Sequence, residues 1–294
     1  MSHNRLTTGV EGLDSLLGGG LIPGTLTVVV GATGIGKTQL GLQFAEAGAK
    51  QEQHRGILFD MTSRGDPQSH ADYAKRMFDW TLDSVDPEAS PSLDRIFAAD
   101  LTPGNYLNIF RYAGKRVARG DLSFEEYQEW QAELARKLGA TIAFFYANFV
   151  RGCRRTVIDG IEPLDRKRDS IQLELFEYIY HQVLRKDPEW VARDLFRELY
   201  RSNEAEIAQA KYVPTSIGCV LLYTSSETML DQLIERPLDE GDLLANANTI
   251  IYLGKTKTHD GRIGRGLHVA KHRGSACSDD IVPYTLSDRG MKVG

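Results

Sequence analysis

Two rhythms of apolar residues alternate along the chain. Leu26 to Val30, Gly56 to Met61 and Ile217 to Tyr223 are short, nearly continuous apolar runs of the kind that form strands covered on both faces. Arg95 to Ala99 and Thr156 to Asp159 read as two more strands, the second ending in an acid. Elsewhere the apolar residues recur at helical spacing: Leu40, Phe44 and Ala47 after Thr38, then Tyr73 with Met77 and Ala74 with Phe78, then Leu173, Phe176, Tyr180, Val183 and Leu184. Ser123-Phe124-Glu125-Glu126 is a capping-box sequence opening a helix that runs to Val150 with one break near Gly139. Its aromatic end, Phe144, Phe145, Tyr146 and Phe149, reads as core because Ala and Ile interleave with it. Asp187-Pro188 supplies an N-cap and a first-turn proline for a helix carrying Val191, Leu195 and Leu199.

Residues 101 to 122 lack either rhythm and read as a connection. After Ile217 to Tyr223 the pattern turns antiparallel: Thr249 to Leu253 and Gly266 to Lys271 flank a turn at His259-Asp260-Gly261, and Pro283 to Leu286 with Met291 to Val293 form a terminal hairpin. Strands alternating with helices, then closing in antiparallel strands, specify a mainly parallel α/β sheet flanked by helices with antiparallel strands at its C-terminal edge. No internal duplication is visible, so residues 1–294 read as a single domain.

Chemistry enters between the first strand and the first long helix. Gly31-Ala32-Thr33-Gly34-Ile35-Gly36-Lys37-Thr38 fits G-x-x-x-x-G-K-[ST] at every defined position, and the binding stretch extends to Gln39. Glycines let backbone N–H groups turn inward around a polyphosphate, and the helix N-terminus adds partial positive charge. The expected ligands are ATP and Mg2+: Lys37 neutralises β- and γ-phosphate oxygens, and the Thr38 hydroxyl ligates the metal. Asp159, closing an apolar strand, is the candidate Walker B acid that holds the ion or its water, expected beside the loop across adjacent parallel strands.

Composition narrows the setting. A net charge of −5 argues against a protein that coats nucleic acid by bulk electrostatics. Cys153, Cys219 and Cys277 are odd in number and widely spaced, which fits neither a disulfide framework nor a CxxC zinc site and suits a reducing cytoplasm. His259, His268 and His272 near Cys277 match no standard zinc spacing. No apolar stretch approaches the ~20 residues of a membrane span, and the N-terminus lacks a signal-peptide core.

The loop is preceded by Thr8-Gly9-Val10, Gly12-Leu13-Asp14, Leu16-Leu17-Gly18-Gly19-Gly20-Leu21 and Pro23-Gly24. This lead into a strand and a Walker A loop resembles the KaiC/RecA-like ATPases. The resemblance implies a RecA-like P-loop fold and a homo-oligomeric ring, hexameric in that family, with nucleotide between subunits. Lys271-His272-Arg273-Gly274-Ser275 resembles the K-L-R-G-[ST] signature, whose basic residues reach a neighbour's nucleotide; Lys271 and Arg273 therefore carry that expectation. Contacts from this basic strand to nucleic-acid phosphates are the competing reading. Thr224 and Ser225 occupy the position of the family's γ-phosphate sensor, and Asn248 replaces its usual Asp.

Two departures bear on turnover and partners. Where the family places one or two Glu residues after the second strand, this chain has Thr62 and Ser63, and a hydroxyl is no general base near neutral pH; such a loss costs about 10²–10⁴-fold in rate. Asp60 and Asp66 are nearby substitutes. The interval around 186–212 is longer than in the family and reads as a helical insertion, either a partner-binding arm or a solvated hairpin. Three functions follow from the resemblance: a magnesium-dependent ring ATPase, an ATP-gated switch or scaffold with poor hydrolysis, and a recombinase-like DNA motor disfavoured by charge.

Overall fold

The computed structural model describes residues 5–62, 69–89, 91–110, 123–161, 170–235, 245–257 and 260–294. Its strands are β1 (Leu26–Gly31), β2 (Ile57–Asp60), β3 (Tyr106–Asn108), β4 (Arg155–Ile161), β5 (Gly218–Thr224), β6 (Thr249–Lys257), β7 (Ile263–His272), β8 (Ile281–Ser287) and β9 (Gly290–Val293). They form one sheet in the order β3-β2-β4-β5-β1-β6-β7-β8-β9. Pairing is parallel from β3 through β6 and antiparallel from β6 through β9. The helices are α1 (Leu13–Leu16), α2 (Lys37–Gln51), α3 (His70–Phe78), α4 (Phe124–Val150), α5 (Ile171–Ile179), α6 (Pro188–Phe196), α7 (Glu204–Gln209) and α8 (Leu230–Glu235).

Alternation along the central strands feeds two cores. Val28, Val30, Phe59, Ile158 and Leu221 face a layer built by α4, α5 and α6, whereas Val29, Leu58, Val157, Val220 and Leu222 face α2, α1 and the C-terminal hairpin. The aromatic end of α4 is core, as its pattern indicates: Phe144, Phe145, Tyr146 and Phe149 are all buried. That burial explains why α4 runs unbroken through Gly139. A mid-helix glycine costs roughly 1 kcal/mol, and each buried aromatic contributes about 1.5–3 kcal/mol.

Three further expectations need correction. Arg95 to Ala99 is not a strand: Leu93–Arg95 is a 3₁₀ turn, followed by an Ala98 N–H to Arg95 carbonyl turn. The strand that pairs with β2 lies instead at Tyr106–Asn108, inside the presumed connection, with Leu58 opposite Tyr106. Five apolar-rich residues do not decide between strand and turn, and here Ile96 reaches the core from a turn. The helix after Asp187 ends at Phe196, because Arg197 takes φ +47°, and Leu199 is left exposed. Finally, β4 is not adjacent to β1; β5 lies between them.

The stretch around 186–212 packs onto the domain. Val191, Ala192, Leu195, Phe196, Ile207 and Tyr212 are buried, and Phe196 stacks on Phe97 with centroids 5.5 Å apart. At the start of β4 the fully buried Arg155 donates bidentately to Glu52, at 2.6 and 3.0 Å, and to the carbonyls of Thr7 and Phe44. A buried guanidinium needs such complete pairing, and this one fastens the lead segment to α2 and the sheet.

Candidate functional site

The phosphate loop forms as its sequence requires. Gly36 caps α2 with φ +106°, a conformation that favours glycine, and a Cβ there would lie 2.7 Å from a Leu286 methyl of the C-terminal hairpin. That hairpin holds the loop from behind. The Tyr284 hydroxyl donates to the Ile35 carbonyl at 2.7 Å, and the Gln39 amide donates to the Ser287 carbonyl at 3.2 Å. Gln43 exchanges two hydrogen bonds with the backbone of Met291, at 3.0 and 2.7 Å. Thr33 and Gly34 face outward. The Lys37 ammonium lies within the loop, donating to the carbonyls of Gly31 and Ala32 at 2.9 Å each.

Asp159 reaches this loop although its strand is not adjacent. The Thr38 hydroxyl donates to Asp159 Oδ2 at 3.1 Å. A hydroxyl and a carboxylate oxygen this close are hard donors suited to magnesium, which prefers a few oxygen ligands and retained water over a protein cage. Among the described residues there is no cluster of three or more His, Cys, Asp or Glu side chains able to hold a metal. Burial would raise the Asp159 pKa, but hydrogen bonding and charge from His70, then Lys37 and Thr38, bring it below the ordinary carboxylate value. Asp159 is therefore an anion at neutral pH.

Asp60 stands opposite Asp159 in the β2–β4 register and is buried. Its Oδ2 accepts from the Tyr106 hydroxyl at 2.6 Å and the Asn108 amide at 2.8 Å, and its Oδ1 accepts from the Thr62 backbone N–H at 2.8 Å. Burial and the Asp60 charge raise the Tyr106 pKa, which keeps that hydroxyl a donor. Gly160, at φ +108°, permits the close approach of this corner, since a Cβ there would lie 2.4 Å from the Thr62 nitrogen. Thr62 thus sits beside the two acids, whereas Ser63 and Asp66 lie outside the described residues. Thr224 pairs with Gly31, and the Ser225 N–H donates to the Gly31 carbonyl at 3.0 Å, placing both at the loop's base. The Ser225 hydroxyl donates to Glu227 at 2.6 Å.

Lys271 and Arg273 are not in this cluster. Both donate to the Ala245 carbonyl at 3.0 Å, so they share a side, as strand alternation requires. Lys271 lies level with Ile250 and hence Val28, three residues before Gly31 and about 10 Å toward the opposite end of the sheet. Between them His272 turns inward, within hydrogen-bonding distance of Thr249 Oγ1 at 2.8 Å and the Leu17 carbonyl at 3.1 Å.

Sequence reasoning missed His70. Its ring lies between the two acids, with Nε2 2.9 Å from Asp159 Oδ2 and Nδ1 3.4 Å from Asp60 Oδ2. The signal was present: Ser69 and Asp72 form a reciprocal capping box that starts α3 and puts His70 in its first turn. Tyr106 and Asn108 were missed with their strand.

Strand, glycine-rich loop and helix, completed by an acid from a strand beyond β5, define a RecA-like P-loop nucleotide-binding domain. The chain belongs to the KaiC ATPase family, whose model matches residues 6–186. It is 36% identical over 87 residues to the circadian clock oscillator protein KaiC of Rippkaea orientalis, a stretch that is 30% of this chain and 16% of that protein. It is 34% identical over 129 residues to the KaiC of Thermosynechococcus vestitus, covering 42% and 24% of the two chains. The DNA repair protein RadA of Aquifex aeolicus matches at 50% over 44 residues, 15% of this chain and 10% of RadA. The matched stretches thus span less than a quarter of these relatives' lengths. Family membership implies ATP binding, and among the described residues no helix is long and apolar enough to cross a membrane.

Proposed function

We propose that the chain binds magnesium–ATP at the loop of residues 31–39 and hydrolyses it within a homo-oligomeric ring. The observation that carries this reading is the 3.1 Å hydrogen bond from Thr38 to Asp159, which brings the loop hydroxyl and the acid of β4 to one point. Lys37 then binds the β- and γ-phosphates by exchanging its two carbonyl partners for phosphate oxygens, while the loop N–H groups hold the rest. Thr38 and Asp159 would hold the magnesium ion, which would supply charge neutralisation there. Thr224 and Ser225, at the base of the loop, sense the γ-phosphate. Lys271 and Arg273, at the far end of their own sheet, serve the nucleotide of a neighbouring subunit, which couples turnover to assembly.

Steady-state ATP hydrolysis with magnesium, comparing the wild type with Lys37→Ala at matched oligomer concentration, tests the reading. Turnover that vanishes in the variant supports it; turnover that persists refutes it. Replacing Lys271 and Arg273 by Ala should reduce nucleotide-dependent assembly and turnover more than ATP binding to an isolated subunit. Intact rings with unchanged turnover would rule out action in trans.

A second reading, an ATP-gated switch with poor hydrolysis, draws on a specific observation. The Asp60 carboxylate is buried and already accepts from Tyr106, Asn108 and the Thr62 N–H, which leaves it ill placed to take a proton from water. ATP binding without turnover by the wild type would select this reading.

A further inference from the structure

The end of β2 lacks the acidic pair of the resembled family, yet the space beside Asp159 is filled by a polar relay. Tyr106 and Asn108 of β3 fix Asp60 of β2; Asp60 faces His70 of α3; His70 contacts Asp159 of β4; and Asp159 accepts from Thr38 of α2. Five elements thus meet through side chains in a buried corner, where each polar group is costly unless paired. Asp159 Oδ2 carries the contacts from both Thr38 and His70. His70 thus supplies a contact to the Asp159 carboxylate from the β2 side.

We propose that His70 is a positioning residue of the nucleotide site: held by Asp60, it fixes the Asp159 carboxylate in the orientation that receives magnesium–nucleotide. The assignment rests on the ATP reading above. Outer partners of this kind restrain a ligating or water-holding carboxylate, and their loss typically lowers metal affinity about 10–100-fold. A merely structural His70 would pack α3 against the sheet and leave metal dependence alone.

The experiment uses the full chain and a fluorescent ATP analogue, titrated first in EDTA and then with rising magnesium. His70→Ala should bind the analogue in EDTA within about twofold of the wild type, while the magnesium concentration that half-saturates tight binding rises about tenfold. His70→Gln places an amide N–H near the position of Nε2 and should restore that midpoint to within about threefold. His70→Asn reaches only the position of Nδ1 and should not restore it. Should His70→Ala fail to fold, the Gln and Asn pair carries the test. Equal magnesium midpoints for Gln and Asn, or a wild-type midpoint in the Ala variant, overturn the proposal and leave the ATP reading standing. Failure of the wild-type chain to bind the analogue at all overturns the ATP reading, and the proposal with it.

Discussion

The two halves of the nucleotide site are made differently. On the β1 side the phosphate cradle is largely backbone, shaped by glycines and backed by the C-terminal hairpin, with Lys37 and Thr38 as its chief side chains. On the β2–β4 side the site is side chains throughout: Asp60, His70, Tyr106, Asn108 and Asp159, drawn from four elements. A backbone device depends on a contiguous stretch and tolerates little change. A side-chain device can exchange one polar group for another.

Four measurements break or sharpen this contrast. Lys37→Ala should weaken ATP binding about 100-fold, the worth of two charge-assisted hydrogen bonds at roughly 1.5 kcal/mol each, as read by calorimetry. Unchanged affinity would remove the phosphate loop from the binding site. Thr62→Glu adds a carboxylate where the resemblance leads one to expect it, and the backbone N–H that holds Asp60 is retained. Turnover should rise about tenfold, part of the range attributed to a positioned base; no gain would mean that the side-chain half has been rebuilt beyond one substitution.

Smaller effects follow. Tyr284→Phe leaves the buried Ile35 carbonyl without its hydroxyl partner and should cost about 1–2 kcal/mol in denaturant unfolding, a cost that ATP enlarges because the braced wild-type loop binds it more tightly. A cost unaffected by nucleotide would show that the hairpin supports the fold and not the loop. The smallest concerns His272, whose pKa is lowered by burial and then by the nearby charge of Arg5, against the hydrogen bond to Leu17. The fold prefers neutral imidazole, so its contribution is complete above the unfolded value near 6.5 and is lost as pH falls below it, by up to ~1.4 kcal/mol per pH unit. His272→Leu, the residue of the resembled signature, should flatten the stability slope from about pH 6.5 to 5. An unchanged slope would assign that dependence to another group.

The legibility of the chain follows the same division. The loop, the lead segment and Asp159 could be read because each is a local pattern whose residue types have few other uses together. The buried aromatics of α4 were equally plain from their spacing. What escaped was tertiary: Tyr106 and Asn108 share a three-residue strand too short for a period, and His70 gains meaning only when β2 and β4 set Asp60 opposite Asp159. Adjacency failed for a related reason, since nothing in one chain's order says that β5 will insert between β1 and β4. Lys271 and Arg273 were legible as a pair on one side of a strand, but not their distance from the loop they flank in sequence pattern.

The hairpin behind the phosphate loop also bears on how the molecule is made. The contacts from Tyr284 to Ile35 and from Gln43 to Met291 join residues separated by 249 and 248 positions. The strands that seat the loop and its helix are synthesised about 250 residues after them, roughly 12 to 50 seconds at ordinary translation rates. Contacts of such long range form slowly and late in folding. The phosphate loop is therefore written well before the strands that brace it.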